Sequence, residues 1–119
     1  MFELLTVKEN GKNKELAIRF GMNSLRLFTS ATNRNLNDLE SLGSNMSLED
    51  AMQLIHAGFI DGHRKSGQEY NYNIDDLADL MDEDPTLIER AMAIFANHYN
   101  TESEGNVKGD QKPQAKRKK

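Results

Sequence analysis

The stretch LIHAGFIDG, residues 54–62, sets glycines at 58 and 62 inside a segment that otherwise reads as helix. Each interior glycine costs a helix about 1 kcal/mol relative to alanine. Two of them one turn apart point to a backbone that another element must approach closely. The membrane-dimer reading of Gly-x-x-x-Gly needs an apolar run of about 20 residues, and Asp61, His63 and Arg64 exclude it. A strand or helix lying against Gly58 and Gly62 is therefore the expected packing. On that reading Gly58→Leu fills the close-packed site and costs stability.

The surrounding periodicity agrees with a helix. Ser47 is a good N-cap, with Glu49 and Asp50 in the first turn where the helix dipole favours acids. Leu48, Ala51, Met52, Ile55 and Phe59 form an apolar stripe at helical spacing, and the helix is expected to fray at Ser66-Gly67. Upstream, residues 2–8 (FELLTVK) and 14–20 (KELAIRF) read as strands flanking Asn10-Gly11, a strong tight-turn pair. Leu5 and Val7 share one face of the first strand; Leu16, Ile18 and Phe20 line one face of the return. A lone hairpin is marginal in water, so it must pack on the helices. A helix over 22–31 carries Met22, Leu25 and Phe28. TNRN then leads to a short segment with Leu36, Leu39 and Leu42, closed by Gly43.

QEYNYN connects to a third helix from Ile74 to about Met81, capped by Asn73, with Ile74, Leu77, Ala78 and Met81 inward. Asp84 and Pro85 then read as the N-cap and first position of a helix to about Tyr99. Its apolar face is Ile88, Ala91, Met92, Phe95 and Tyr99. From Asn100 the composition turns to Gly, Lys, Gln, Glu and Ser, the signature of disorder. The expected fold is mainly α: a helical domain over 1–99, with four to five helices and an N-terminal β-hairpin, followed by a disordered basic tail over 100–119.

Composition narrows the chemistry. The chain has 119 residues and no cysteine, which removes disulfides, thiol catalysis and Cys-ligated zinc. No signal-peptide pattern and no apolar run of about 20 residues is present, so a soluble intracellular protein is expected, with no membrane. The net charge of −4 hides a split. Residues 1–104 carry nine Lys and Arg against eighteen Asp and Glu, whereas residues 105–119 carry six against one. An acidic body argues against nucleic acid there.

No catalytic constellation emerges. His56, His63 and His98 lack metal-site spacing and read as structural. Asn71, Asn73, Asp75, Asp79 and Asp82 fall at calcium-loop positions, but Asp76 stands where the loop needs glycine and Asp82 where it needs glutamate. The helical reading of the same residues wins. Asp75, Asp76, Asp79, Asp82, Glu83, Asp84 and Glu89 form an acidic run, first a solvated face and second a docking surface. Met22, Met46, Met52, Met81 and Met92 read first as core, and second as an adaptable binding surface. The basic KPQAKRKK end is a solvated terminus, or a contact for an acidic surface of this chain or another.

GKNKELAIRFGMNSLRLF, SLEDAMQLIHAGFIDG and NIDDLADLMDED, followed by a last helix, resemble the small tail assembly chaperones of long-tailed bacteriophages and related proteins of gene transfer agents. The resemblance covers about residues 2–99. It departs at two extra polar joints, SATNRN and HRKSGQEYNYN. It implies a non-enzymatic protein without cofactor or metal, working in the host cytoplasm and absent from the mature virion. Such a protein binds the tape measure protein, keeps it soluble and helps tail tube subunits assemble around it. The family often also makes a longer, frameshifted form. The candidate partner-binding residues are Met52, Ile55, Phe59, Met81, Met92 and Phe95, with Asp75, Asp79 and Asp82 on the acidic face. Self-association into rings stays open. The alternative is a small nucleic-acid-binding regulator whose tail contacts phosphate. It needs a basic recognition helix, and Arg90 is the only Lys or Arg between 74 and 99.

Overall fold

Asn10 and Gly11 both take positive φ, 55° and 76°, the pair of values that a two-residue type I′ turn demands. The turn joins β1 (Glu3–Glu9) to β2 (Lys12–Ile18) in an antiparallel register that sets Glu9 opposite Lys12 and Leu5 opposite Leu16. Four helices follow: α1 (Met22–Thr32), α2 (Leu48–Ser66), α3 (Ile74–Glu83) and α4 (Leu87–Val107). The computed structural model describes residues 2–35 and 46–107, with 99–107 as backbone only. The fold is mainly α with an N-terminal hairpin.

Local chemistry sets the helix ends. The Ser47 hydroxyl accepts the Asp50 N–H and starts α2. Gly67, at φ 81°, ends it by donating its N–H to the His63 carbonyl. At α1 the buried Ser24 hydroxyl accepts the Gly21 N–H at 2.6 Å and donates back to the Gly21 carbonyl at 2.8 Å. Arg34, just past α1, pairs with the buried Asp50 in the first turn of α2.

The core gathers Leu5, Val7, Leu16, Ile18 and Phe20 from the hairpin and Phe28 from α1. Leu54, Ile55 and Phe59 of α2, Leu77, Leu80 and Met81 of α3, and Leu87, Ala91 and Phe95 of α4 complete it. Two stripe positions point out instead: Met22 is 76% exposed and Leu48 66%. Each is the first residue of its helix, one turn short of where the stripe meets the core. Met46, Met52 and Met92 are half-buried at its margin.

Three other expectations change. Asp84 closes α3, its N–H donating to the Leu80 carbonyl, so Pro85 and Thr86 form a turn and α4 begins at Leu87. The Asp84 carboxylate accepts the Thr86 hydroxyl and the Lys8 N–H and pairs with Arg90. Leu80 and Leu87, absent from the expected stripes, are buried. Finally, α4 continues as backbone helix through Val107. A polar turn extends a helix cheaply once the packed segment has met the cost of nucleation. The expected leucine segment 36–43 and residues 108–119 of the tail lie outside the described residues.

The two edges of the sheet are covered differently. α2 lies along the outer edge of β2: the Arg19 N–H donates to the Gly58 carbonyl at 2.9 Å, and the Ala17 carbonyl faces Gly62. Side chains occupy the outer edge of β1. Asp84 Oδ2 accepts the Lys8 N–H at 3.1 Å, Glu83 accepts the Asn10 N–H at 3.1 Å, and Arg90 donates to the Thr6 carbonyl at 2.6 Å. Open strand edges invite pairing with other chains, and these contacts block it. Asp84→Ala is therefore expected to cost about 1 kcal/mol and to speed hydrogen exchange at the Lys8 amide more than at the β1 amides that face β2. Equal exchange across both sets shows that the edge contact does not hold the strand.

Candidate partner-binding surface

α3 presents the acidic face. The Asn73 side chain accepts the Asp76 N–H at 2.8 Å while Asp76 accepts the Asn73 N–H at 3.1 Å, a reciprocal cap. Asp75, Asp79 and Asp82 are exposed along the helix. The acidic run divides at its end, because Glu83 and Asp84 turn to the edge of β1 and Asp84 pairs with Arg90 at 2.9 Å. Burial would raise the Asp84 carboxyl. Hydrogen bonds from Thr86, the Lys8 backbone and Arg90 outweigh it and hold the group below the ordinary carboxylate value.

The apolar candidates lie elsewhere. Ile55, Phe59, Met81 and Phe95 are buried in the core, with Phe95 edge-on to Phe20 at 5.3 Å between ring centroids. Helical spacing marks them as one apolar set, but the hairpin and the neighbouring helices already cover that set. Only Met52 and Met92 of the six apolar candidates keep substantial solvent contact, at the edge of the core.

A groove of about 710 Å³ opens between the hairpin turn, the loop after α2 and α3. Its walls carry Glu9, Glu15, Glu69, Asp76, Asp79 and Glu83, against a single ammonium, Lys14. The loop that closes it is the QEYNYN connector, pinned by aromatic packing that sequence reading missed. Tyr70 stacks on Phe59 at 5.9 Å and lies 5.3 Å from Tyr72. Two tyrosines spaced by one residue in a polar linker were the available signal. Burial raises the Tyr70 phenol well above its ordinary value and lowers His56, and a hydrogen bond of 3.0 Å joins His56 Nδ1 to the Tyr70 hydroxyl oxygen. Tyr72 donates to Glu9 at 2.6 Å and accepts from Lys14 Nζ at 3.0 Å. That same ammonium sits 5.2 Å from the Tyr72 ring centroid and 3.5 Å from Glu9. The Tyr72 hydrogen bond is the main reason that Lys14 binds its proton more tightly than usual.

His63 reaches the groove from α2 and is only 3% exposed. Its Nδ1 lies 2.8 Å from the Phe59 carbonyl, which can only accept, so Nδ1 carries the proton. His98, near the other end of the molecule, meets Glu3 at 3.1 Å. Among the described residues no three His, Cys, Asp or Glu side chains cluster as a metal site, and no helix is long and apolar enough to cross a membrane.

On the opposite side of α2, sequence reading also missed a buried ionic cluster. Asp61 is fully buried, 2.6 Å from Arg19 and 2.7 Å from Arg64. It ties the end of β2 to α2 one residue before Gly62. Compared with known proteins, the chain matches no protein-family model, no curated protein and no solved structure.

Proposed function

We propose that this chain is a phage tail assembly chaperone: a non-enzymatic factor of the host cytoplasm that binds the tape measure protein and keeps it soluble while tail tube subunits assemble. The observation that carries the reading is the run of three stretches that resemble the family, from the hairpin return through FGMNSLR, the Gly58–Gly62 helix and the NIDDLADLMDED helix. Each of them forms part of one core here. A tape measure helix has apolar stripes that would aggregate if exposed. The half-buried Met52 and Met92 offer adaptable apolar contact, and Asp75, Asp79 and Asp82 offer charge that steers encounter more than it adds affinity.

The test is co-expression with the long helical protein encoded just downstream, scored by solubility and co-elution on a sizing column. The expected outcome is a soluble partner that co-elutes, weakened by Met52→Asp or Met92→Asp. A partner that stays insoluble while this chain elutes alone counts against the short chain as a sufficient chaperone. The nucleic-acid reading fares worse, because Arg90 is committed to Asp84 and the Thr6 carbonyl. Salt-sensitive DNA binding that survives removal of residues 105–119 is the result that would restore it.

A further inference from the structure

We propose that residues 2–6, the half of β1 far from the hairpin turn, pair antiparallel with the same segment of a second copy of this chain. Two hairpins then form one four-stranded sheet. The turn at Asn10-Gly11 fixes the direction of every main-chain group. Glu9 lies opposite Lys12 across it and, with Val7, Leu5 and Glu3, turns its N–H and carbonyl toward β2. Leu4, Thr6 and Lys8 turn theirs outward. Shielding of that outer edge runs from Asn10 to the Thr6 carbonyl and stops: Glu83 takes the Asn10 N–H, Asp84 the Lys8 N–H and Arg90 the Thr6 carbonyl. The Thr6 N–H and both main-chain groups of Leu4 meet no protein partner among the described residues. Groups of this kind are a template for another strand.

The side chains mark the same place. Phe2 and Leu4 are 36% and 52% exposed, large apolar groups that the fold leaves in water. Leu4 stands on the face of the sheet opposite Leu5 and Val7, beside Ala17 of β2. The open segment is complementary to itself, which selects a second copy as its occupant. With a two-fold axis at Leu4, the Leu4 N–H donates to the Leu4 carbonyl of the second copy and the reverse bond forms with it. The Thr6 N–H then meets the Phe2 carbonyl across the axis. The Thr6 carbonyl has a second lone pair beside the one that Arg90 uses, and accepts the Phe2 N–H. Both Leu4 side chains fall on one face, next to Phe2 and Thr6 of the opposite copy, so the exposed apolar groups cover one another. A register shifted one pair toward the turn needs the Lys8 N–H, which Asp84 already holds. α4 reaches this strand through long side chains, Arg90 to the Thr6 carbonyl and His98 to the Glu3 carboxylate. A sheet of two strands gains the most from such an addition, because it is marginal by itself.

The test mixes full chain enriched in carbon-13 and nitrogen-15 with unenriched chain, and isotope-filtered spectra read contacts between copies. The axis at Leu4 sets Glu3 opposite Leu5 of the other copy in a pair without mutual hydrogen bonds, the type whose α-carbons lie about 4.5 Å apart. The expected result is a cross-peak between the α-protons of Glu3 and Leu5 that arises only between copies. Sedimentation equilibrium of the parent should show the mass rising from one chain to two with concentration. Leu4→Lys should weaken that association by about tenfold or more, since it removes both leucine contacts and puts a charge on each strand edge. Leu4 lies outside the core, so the variant should keep the fold of the single chain. A parent that stays monomeric at the concentrations of the spectra overturns the proposal. So does a dimer without the Glu3–Leu5 cross-peak, or one that Leu4→Lys leaves equally tight, because the copies then meet elsewhere. Should Leu4→Lys fail to fold, the cross-peak of the parent decides. None of these results depends on the tape measure protein, so failure of the chaperone reading leaves the proposal standing, and the reverse.

Discussion

Gly62→Ala is expected to lower the unfolding free energy by about 2 kcal/mol, although alanine is the better helix former by about 1 kcal/mol. A methyl group there would stand within 2.5 Å of the Ala17 carbonyl carbon and the Ile18 nitrogen, and on top of the Ala17 oxygen. These are backbone atoms of β2, fixed in register by β1. No rotamer change relieves the overlap, so the strand must lift from α2. Overpacking costs about 1–3 kcal/mol where side chains can adjust, and a backbone obstacle belongs at the top of that range. Gly58→Ala meets the edge of the Phe20 ring at 2.6 and 2.9 Å and Ile18 Cγ1 at 3.1 Å. A ring can tilt, so its cost should be the smaller, about 1 kcal/mol. Urea midpoints for the two variants give the ranking. A Gly62→Ala protein as stable as the parent removes the close-approach account of LIHAGFIDG. Leucine at either position should prevent the hairpin from docking.

Asp61→Ala is expected to cost about 2–3 kcal/mol. Asp61 is fully buried and holds two guanidinium groups, so its removal breaks three charge-assisted hydrogen bonds, one from Arg19 and two from Arg64. The partners are less buried: the Arg19 side chain is 26% exposed and that of Arg64 51%. Water can rehydrate both, which keeps the loss below that of a fully buried pair. The pH dependence follows. Burial on its own would raise the Asp61 carboxyl, but the hydrogen bonds and charges of Arg64 and Arg19 prevail and hold it below the ordinary carboxylate value. A lowered folded-state pKa means that the stabilisation is complete above the unfolded value, about 3.9, and is lost as pH falls from there through the folded value. Thermal melts from neutral to acid pH should therefore show a smaller acid loss in Asp61→Asn than in the parent. Parallel curves refute the assignment.

Local signals in this sequence were reliable where one or two residues carry the whole physical cause. Asn10-Gly11 specified its turn, Ser47 and Asn73 their caps, and Gly67 the end of α2. The glycines at 58 and 62 announced a close approach, while the approaching element, β2, had to be seen. Periodicity located the apolar faces but could not say what covers them. Ile55, Phe59, Met81 and Phe95 consequently looked available to a partner when the fold itself encloses them. Asp84 illustrates a further limit. As a helix cap it satisfied every neighbouring residue, yet its carboxylate also accepts the N–H of Lys8, 76 positions away. Arg19 and Asp61, 42 positions apart, are illegible for the same reason.

The side chains that close the outer edge of β1 also impose an order in time. Thr6, Lys8 and Asn10 leave the ribosome long before Arg90, Asp84 and Glu83, which lie 84, 76 and 73 positions later. At about 5–20 residues per second, the strand waits about 4 to 17 s for the groups that shield it. Throughout that interval its edge is open to strands of other nascent chains, including copies made on the same message. A protein released before residue 84 would keep that edge open for good.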